Sequence, residues 1–376
     1  MTHRKGLVLA MIPLIWLRTA TAQIDAVESL DIRIPLAPQP VRIGDAVQLL
    51  YELQVTNFAS SVVTLNDLIV LDATTHTELS HLDAKALTHS IEQFGKENQQ
   101  PRSLAPGRHG VIYMTVSLNR APPRALSHRF TLSLGSASQA RSTTLTTDAT
   151  PVDASPVPDL GPPLRGGTWA ALYDPNIERG HRRVWFAVDG HVHLPGRFAM
   201  DFFGVDATGK THKAAGERPA DYFGYGADVL AVADGTVIAA RDEFKEAATI
   251  AEVAEVAIGN GTGNYVALDI GSGRVAFYEN LQPGLAVKVG QQVRRGDRLG
   301  ALGLTGETHT PHLHFHVANA NAPLAAEGMP FQFSSYRLLG GYDAMGDFGE
   351  RPWRGLPQPR TLAKSRPASN VVVSFE

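Results

Sequence analysis

The 376-residue sequence contains no cysteine. Disulfides, thiolate metal sites and a lipid-modified cysteine anchor are therefore excluded, and any transition-metal site must be built from His with Asp or Glu. Long apolar runs are also missing. The one continuous run, Gly6 to Leu17, covers about 12 residues where a membrane span needs roughly 20. It sits between the basic head Arg4-Lys5 and the small-residue end Thr19-Ala-Thr-Ala22, the pattern of a secretory signal peptide over residues 1–22. A periplasmic or secreted location follows as the expectation, with no membrane span after cleavage. Excess positive charge is lacking too. Loss of Arg4, Lys5 and Arg18 leaves 31 basic against 37 acidic residues, which argues against a nucleic-acid partner.

What is present is an ordinary globular composition, 43% hydrophobic and 19% charged, with 35 Gly and 24 Pro that favour turns and short strands over long helices. Residues 23–145 read as an immunoglobulin-like β-sandwich. Val47, Leu49, Tyr51, Leu53 and Val55 alternate with other residues. So do Ile112, Met114, Val116 and Leu118, and Phe130, Leu132 and Leu134. A period of two marks half-buried antiparallel strands. No catalytic cluster is visible there, which suits an accessory domain. Five prolines between residues 146 and 167 predict a stiff linker over 146–161. A second all-β domain follows over 162–335, with strands at Ala227–Ala240, Gly263–Ile270 and Arg274–Tyr278 and helical composition over 242–258. Residues 336–376 read as a loosely held tail.

Chemistry concentrates in Thr310-Pro-His-Leu-His-Phe-His-Val317. On a strand His312, His314 and His316 project from one face while Leu313, Phe315 and Val317 pack behind. Imidazoles about 7 Å apart can serve one small site, one as a metal ligand and the next as a base. The bland alternative is the polar face of an edge strand.

Ahead of this strand runs Leu281-Gln-Pro-Gly-Leu-Ala-Val-Lys-Val-Gly-Gln-Gln-Val-Arg-Arg-Gly-Asp-Arg-Leu-Gly300, then Leu304-Thr-Gly-Glu-Thr-His-Thr-Pro-His-Leu-His-Phe315. The whole resembles the lysostaphin-type (LytM) zinc peptidases over about residues 162–320. The resemblance implies an antiparallel β-sheet groove that binds Zn²⁺ and cleaves peptides of peptidoglycan. It implies Asp201 and His314 as metal ligands and His312 as the neighbouring base. The family's early ligand pattern, His-x-x-x-Asp, meets Arg197 at its histidine position. Guanidinium has no available lone pair, so Arg197 is no ligand; it is instead a candidate to replace the metal by pairing with Asp201. A third ligand is then expected from His191, His193 or His309. The family's further histidine, in a Tyr-x-His-Leu strand, falls at Asn280, which can still donate a hydrogen bond to a developing oxyanion. His181-Arg182 reads as structural, and Asp221, Tyr222 and Tyr225 as an aromatic turn beside the groove.

Three functions compete on these residues. One is an exported zinc endopeptidase acting on cell-wall peptides. The second is a degenerate relative that binds peptidoglycan or activates a separate cell-wall hydrolase. The third is a carrier-type barrel, suggested by Val287 to Asp297 but lacking the lysine at a hairpin tip that modification requires.

Overall fold

Alternating apolar residues produce strands wherever the sequence has them, and their partners come from far along the chain. The computed structural model describes residues 30–94, 100–135, 140–173 and 180–376. The expected signal peptide, 1–22, lies outside the described residues.

The first domain is two facing antiparallel sheets. One holds Leu30–Arg33, Ala46–Asn57, His109–Leu118 and Ile91–Gln93 in that order, with Pro40–Ile43 also on Ala46–Asn57. The other holds Arg141–Thr146, Ala125–Leu134, Val63–Asp72 and Glu78–Leu82. Leu49, Tyr51, Leu53 and Val55 meet Leu65, Leu68, Phe130 and Leu132 between the sheets, as the alternation requires. The opposite face of the same strand is covered as well. Leu50, with Val41 and Ile43, joins the core of the second domain, and Glu52 is only 1% exposed.

The second domain is built on one large sheet. Its order is Asp159–Leu160, Gln332–Gly341, Val371–Phe375, Gly166–Leu172, Met200–Gly204, Leu313–Ala318, Val275–Leu281, Asn264–Asp269, Gly235–Arg241 and Gln292–Val293, with Arg354–Ser365 added to Gln332–Gly341. Every pairing is antiparallel except that of Asp159–Leu160.

Two expectations are corrected here. The segment after residue 335 is no loose tail, because three of its strands belong to the main sheet and Val372, Val373 and Phe375 are buried in it. The stretch 242–258 forms only the short 3-10 turn Ile250–Glu252 and the start of another, Ile258–Asn260. It has no continuous apolar face to bury, and helical composition alone does not hold a helix. The proline-rich 146–161 is extended and stitched at both ends, Thr150–Pro151 pairing with Ala125–Leu126 and Asp159–Leu160 with Gln332–Phe333.

Candidate metal centre

Register brings the polar residues together. On the central sheet Asp201 lies opposite His314, and His314 lies opposite Glu279 on its other side. Directly opposed residues share a face, so these three form a row across three strands. His312 and His316 flank the row at i±2. Two rings fill the ends of this face. Phe203 stacks on His312 with centroids 4.7 Å apart, and Phe277 stacks on His316 at the same distance. Leu313, Phe315 and Val317 pack behind, all fully buried.

Asp201 is the centre of the group. Its Oδ1 lies 2.9 Å from His314 Nδ1 and 3.4 Å from His312 Nε2, and its Oδ2 lies 3.1 Å from His181 Nε2. Donor atoms of His181, Asp201 and His314 all fall within 4.8 Å of one another. Burial alone would raise the Asp201 carboxyl, but His181 and then His312 outweigh it and hold it well below the usual carboxylate range. Burial alone would lower the His312 imidazole, but the charge of Asp201 outweighs it and holds it above its ordinary value. Glu279 is raised above the ordinary range, chiefly by burial and against the pull of His314. His316 is pushed well below its ordinary value by burial, with His314 and His181 adding to the effect.

The residues fit a zinc ion by their chemistry. Two imidazole nitrogens and one carboxylate oxygen are a common three-ligand set for a catalytic zinc, leaving one position for water or substrate. The set is preorganised: Asp201 and His314 are fixed by neighbouring strands of the sheet, and His181 comes from a separate segment to within 3.1 Å of Asp201. His312 does not belong to the ligand set, but it borders it. Its Nδ1 lies 2.8 Å from the Thr310 carbonyl and 3.0 Å from Thr308 Oγ1. A carbonyl only accepts, so Nδ1 carries the proton and, in the neutral ring, Nε2 presents a lone pair to the groove.

The third member of the group differs from the sequence expectation. Among the described residues His191, His193 and His309 take no part in the group. His191 and His193 lie on a two-stranded ribbon with Phe186–Val188, His193 turned toward Glu327 at 3.5 Å, and His309 is exposed. His181 takes the position, on a one-turn 3-10 segment, His181–Arg183. In the sequence it reads as structural, because the His-x-x-x-Asp spacing directs attention to residue 197. Here the histidine enters from a separate segment earlier in the chain. A Cβ at Gly196 would collide with the His181 carbonyl, so the Pro195-Gly196 step serves to admit this segment.

Arg197 does not stand in for the metal. Its guanidinium turns away from Asp201 to Glu52 Oε2 and Glu327 Oε2, both at 2.7 Å, and to the Gly328 carbonyl at 3.1 Å. Asn280 is likewise turned from the groove. It adopts φ 63° and its amide donates to the Thr305 carbonyl at 2.7 Å, so the expected catalytic role has no geometric support. Glu279, one residue earlier, is the side chain on the groove face. Asp221 is tied to Arg218 and Tyr225 to Glu246, while Tyr222 lies against the His212 ring.

The profile of Peptidase family M23 matches residues 220–326, which includes His312 and His314 but neither Asp201 nor His181. Over 64 residues the chain is 39% identical to the peptidoglycan DD-endopeptidase ShyA of Vibrio cholerae serotype O1, a match spanning 17% of this chain and 15% of that protein. Among solved structures, the catalytic domain of lysostaphin from Staphylococcus simulans aligns over 44% of this chain and 88% of its own, with 21% identity and a TM-score of 0.24. A zinc containing peptidase from Vibrio cholerae aligns over 77% and 81%, with 13% identity and a TM-score of 0.26.

Proposed function

We propose that this chain, which carries a domain of Peptidase family M23, is an exported zinc-dependent endopeptidase that hydrolyses peptide bonds in peptidoglycan. The observation that carries the reading is the convergence of His181, Asp201 and His314 on one point beside His312. The family match and the cell-wall endopeptidase relative support the substrate class.

In this reading His181, Asp201 and His314 would hold Zn²⁺. The bound ion would polarise a substrate carbonyl and acidify a water molecule. The protein's own groups supply the remainder. Thr308 and Thr310 fix the His312 ring, so that Nε2 accepts a proton from the attacking water and returns it to the leaving amine. Phe203 stacks against that ring.

A second reading is favoured by Asn280, whose commitment to Thr305 leaves the family's further histidine without a counterpart. The chain would then bind peptidoglycan, or activate a separate hydrolase, without cleaving. Purified sacculi decide between them. The peptidase reading expects new free amino groups and soluble muropeptides, abolished by chelator, restored by zinc and absent in Asp201→Ala. Sacculi bound but uncut at full zinc loading would leave the second reading.

A further inference from the structure

His181 is held from outside the catalytic sheet. It sits on a single 3-10 turn, which has no ladder of hydrogen bonds to fix its orientation. The next residue, Arg182, is 4% exposed and is anchored entirely in the N-terminal sandwich. Its Nε donates to Glu52 Oε1 at 2.9 Å, Nη1 to Thr115 Oγ1 at 3.1 Å, and Nη2 to the carbonyls of Tyr51 and Met114 at 2.8 and 2.7 Å. The other oxygen of Glu52 accepts from Arg197, on the Pro195–Phe198 turn that leads into the strand of Asp201. One carboxylate of the sandwich thus grips the two segments that deliver His181 and Asp201, and the two turns pack so closely that a Cβ at Gly196 would collide with the His181 carbonyl. Arg183 adds contacts to the same domain, with its Nη2 on the His89 carbonyl at 3.0 Å and its guanidinium over the Tyr113 ring.

We infer that Glu52, acting through Arg182, is a positioning residue for the ligand His181, so that the sandwich completes the metal site of the second domain. The inference rests on the reading of His181 as a zinc ligand. A guanidinium fork held by four acceptors has one orientation, and it fixes the backbone from which His181 projects. Metal ligands tolerate displacements of only about 0.5 Å before affinity falls. A buried charge network is also a poor source of net stability, since apolar replacements of similar volume are often as stable. A role in fixing geometry accounts for it better than a role as glue.

The test uses the full chain and zinc itself, with affinity read by competition against a chromophoric chelator and geometry read from the visible absorption of the Co²⁺-substituted protein. Wild type, His181→Ala, Glu52→Gln and the double variant Glu52→Leu/Arg182→Met are compared. The double variant leaves Arg197 paired with Glu327 and strands no buried charge on Arg182, so it decides the matter if Glu52→Gln fails to fold. The expected result is a loss of zinc affinity of about 10- to 100-fold, the range found when a partner behind a metal ligand is removed. The Co²⁺ spectrum should shift toward that of His181→Ala, with the circular dichroism of the fold retained. Wild-type affinity and spectrum in a folded variant would overturn the positioning role while leaving the metal site standing. A wild type that binds no zinc would overturn the metal reading and this inference with it.

Discussion

His312 and Asn280 show how the site depends on single side chains. His312 has its Nδ1 proton committed to Thr310, so its working atom is Nε2. His312→Asn is expected to keep zinc affinity within a few-fold and to lower the rate of peptide cleavage by about 10²- to 10⁴-fold. Loss of zinc in this variant would place His312 among the ligands instead. Asn280 is predicted to serve the fold. Its αL backbone and its bond to Thr305 suggest that Asn280→Ala costs about 1–3 kcal/mol in denaturant unfolding, with zinc affinity unchanged. At this scale the sequence was half legible. Asp201 and His314 follow from strand periodicity and a family pattern. The place of His181 beside them does not, because its segment is anchored by a buried Arg182 whose acceptors lie on strands some 65 to 130 residues earlier.

Strands rather than helices carry the fold, and each domain has an element whose behaviour can be measured alone. In the sandwich, His128 is fully buried and hydrogen-bonded through Nε2 to Tyr51 Oη at 2.8 Å. Burial pushes its imidazole down from 6.5 to about 4. The unfolded chain takes up a proton near 6.5 while the folded chain resists until about 4. The stabilising effect of the neutral ring is therefore complete above 6.5 and is lost as pH falls toward 4. At about 1.4 kcal/mol per pH unit, the loss comes to about 3 kcal/mol. His128→Gln should flatten this part of the stability–pH curve, and an unchanged slope would contradict the assignment. In the second domain, removal of residues 354–376 is expected to lower the melting temperature by more than about 10 °C or to prevent folding, because it strips two strands from the main sheet. A truncated chain that melts like the full one would return these residues to the status of a tail. The strands of the sandwich were readable because one face is apolar throughout. Arg354–Ser365 was not, since it is mostly exposed, lies on the outside of the sheet and carries two prolines.

Across the whole molecule the two domains share a core and a charge network. Val41, Ile43 and Leu50 of the sandwich pack with Phe198, Phe331 and Phe333 of the second domain. Glu52 lies between Arg182 and Arg197 at the same junction. Burial alone would raise the Glu52 carboxyl, but Arg197 and Arg182 outweigh it and keep it below the ordinary range. An apolar strand with a glutamate in its middle looks, in sequence, like a strand with one solvent-facing charge. Only the docked second domain shows that both faces are covered, which is why the accessory reading of the sandwich left out its contact with the metal site.

The most direct measurement is the zinc content per chain of wild type, His181→Ala and His193→Ala, each loaded with zinc and then dialysed. A three-ligand centre of His181, Asp201 and His314 predicts about one zinc in wild type and in His193→Ala and almost none in His181→Ala. Zinc retained in His181→Ala, or absent from the wild type, would contradict it.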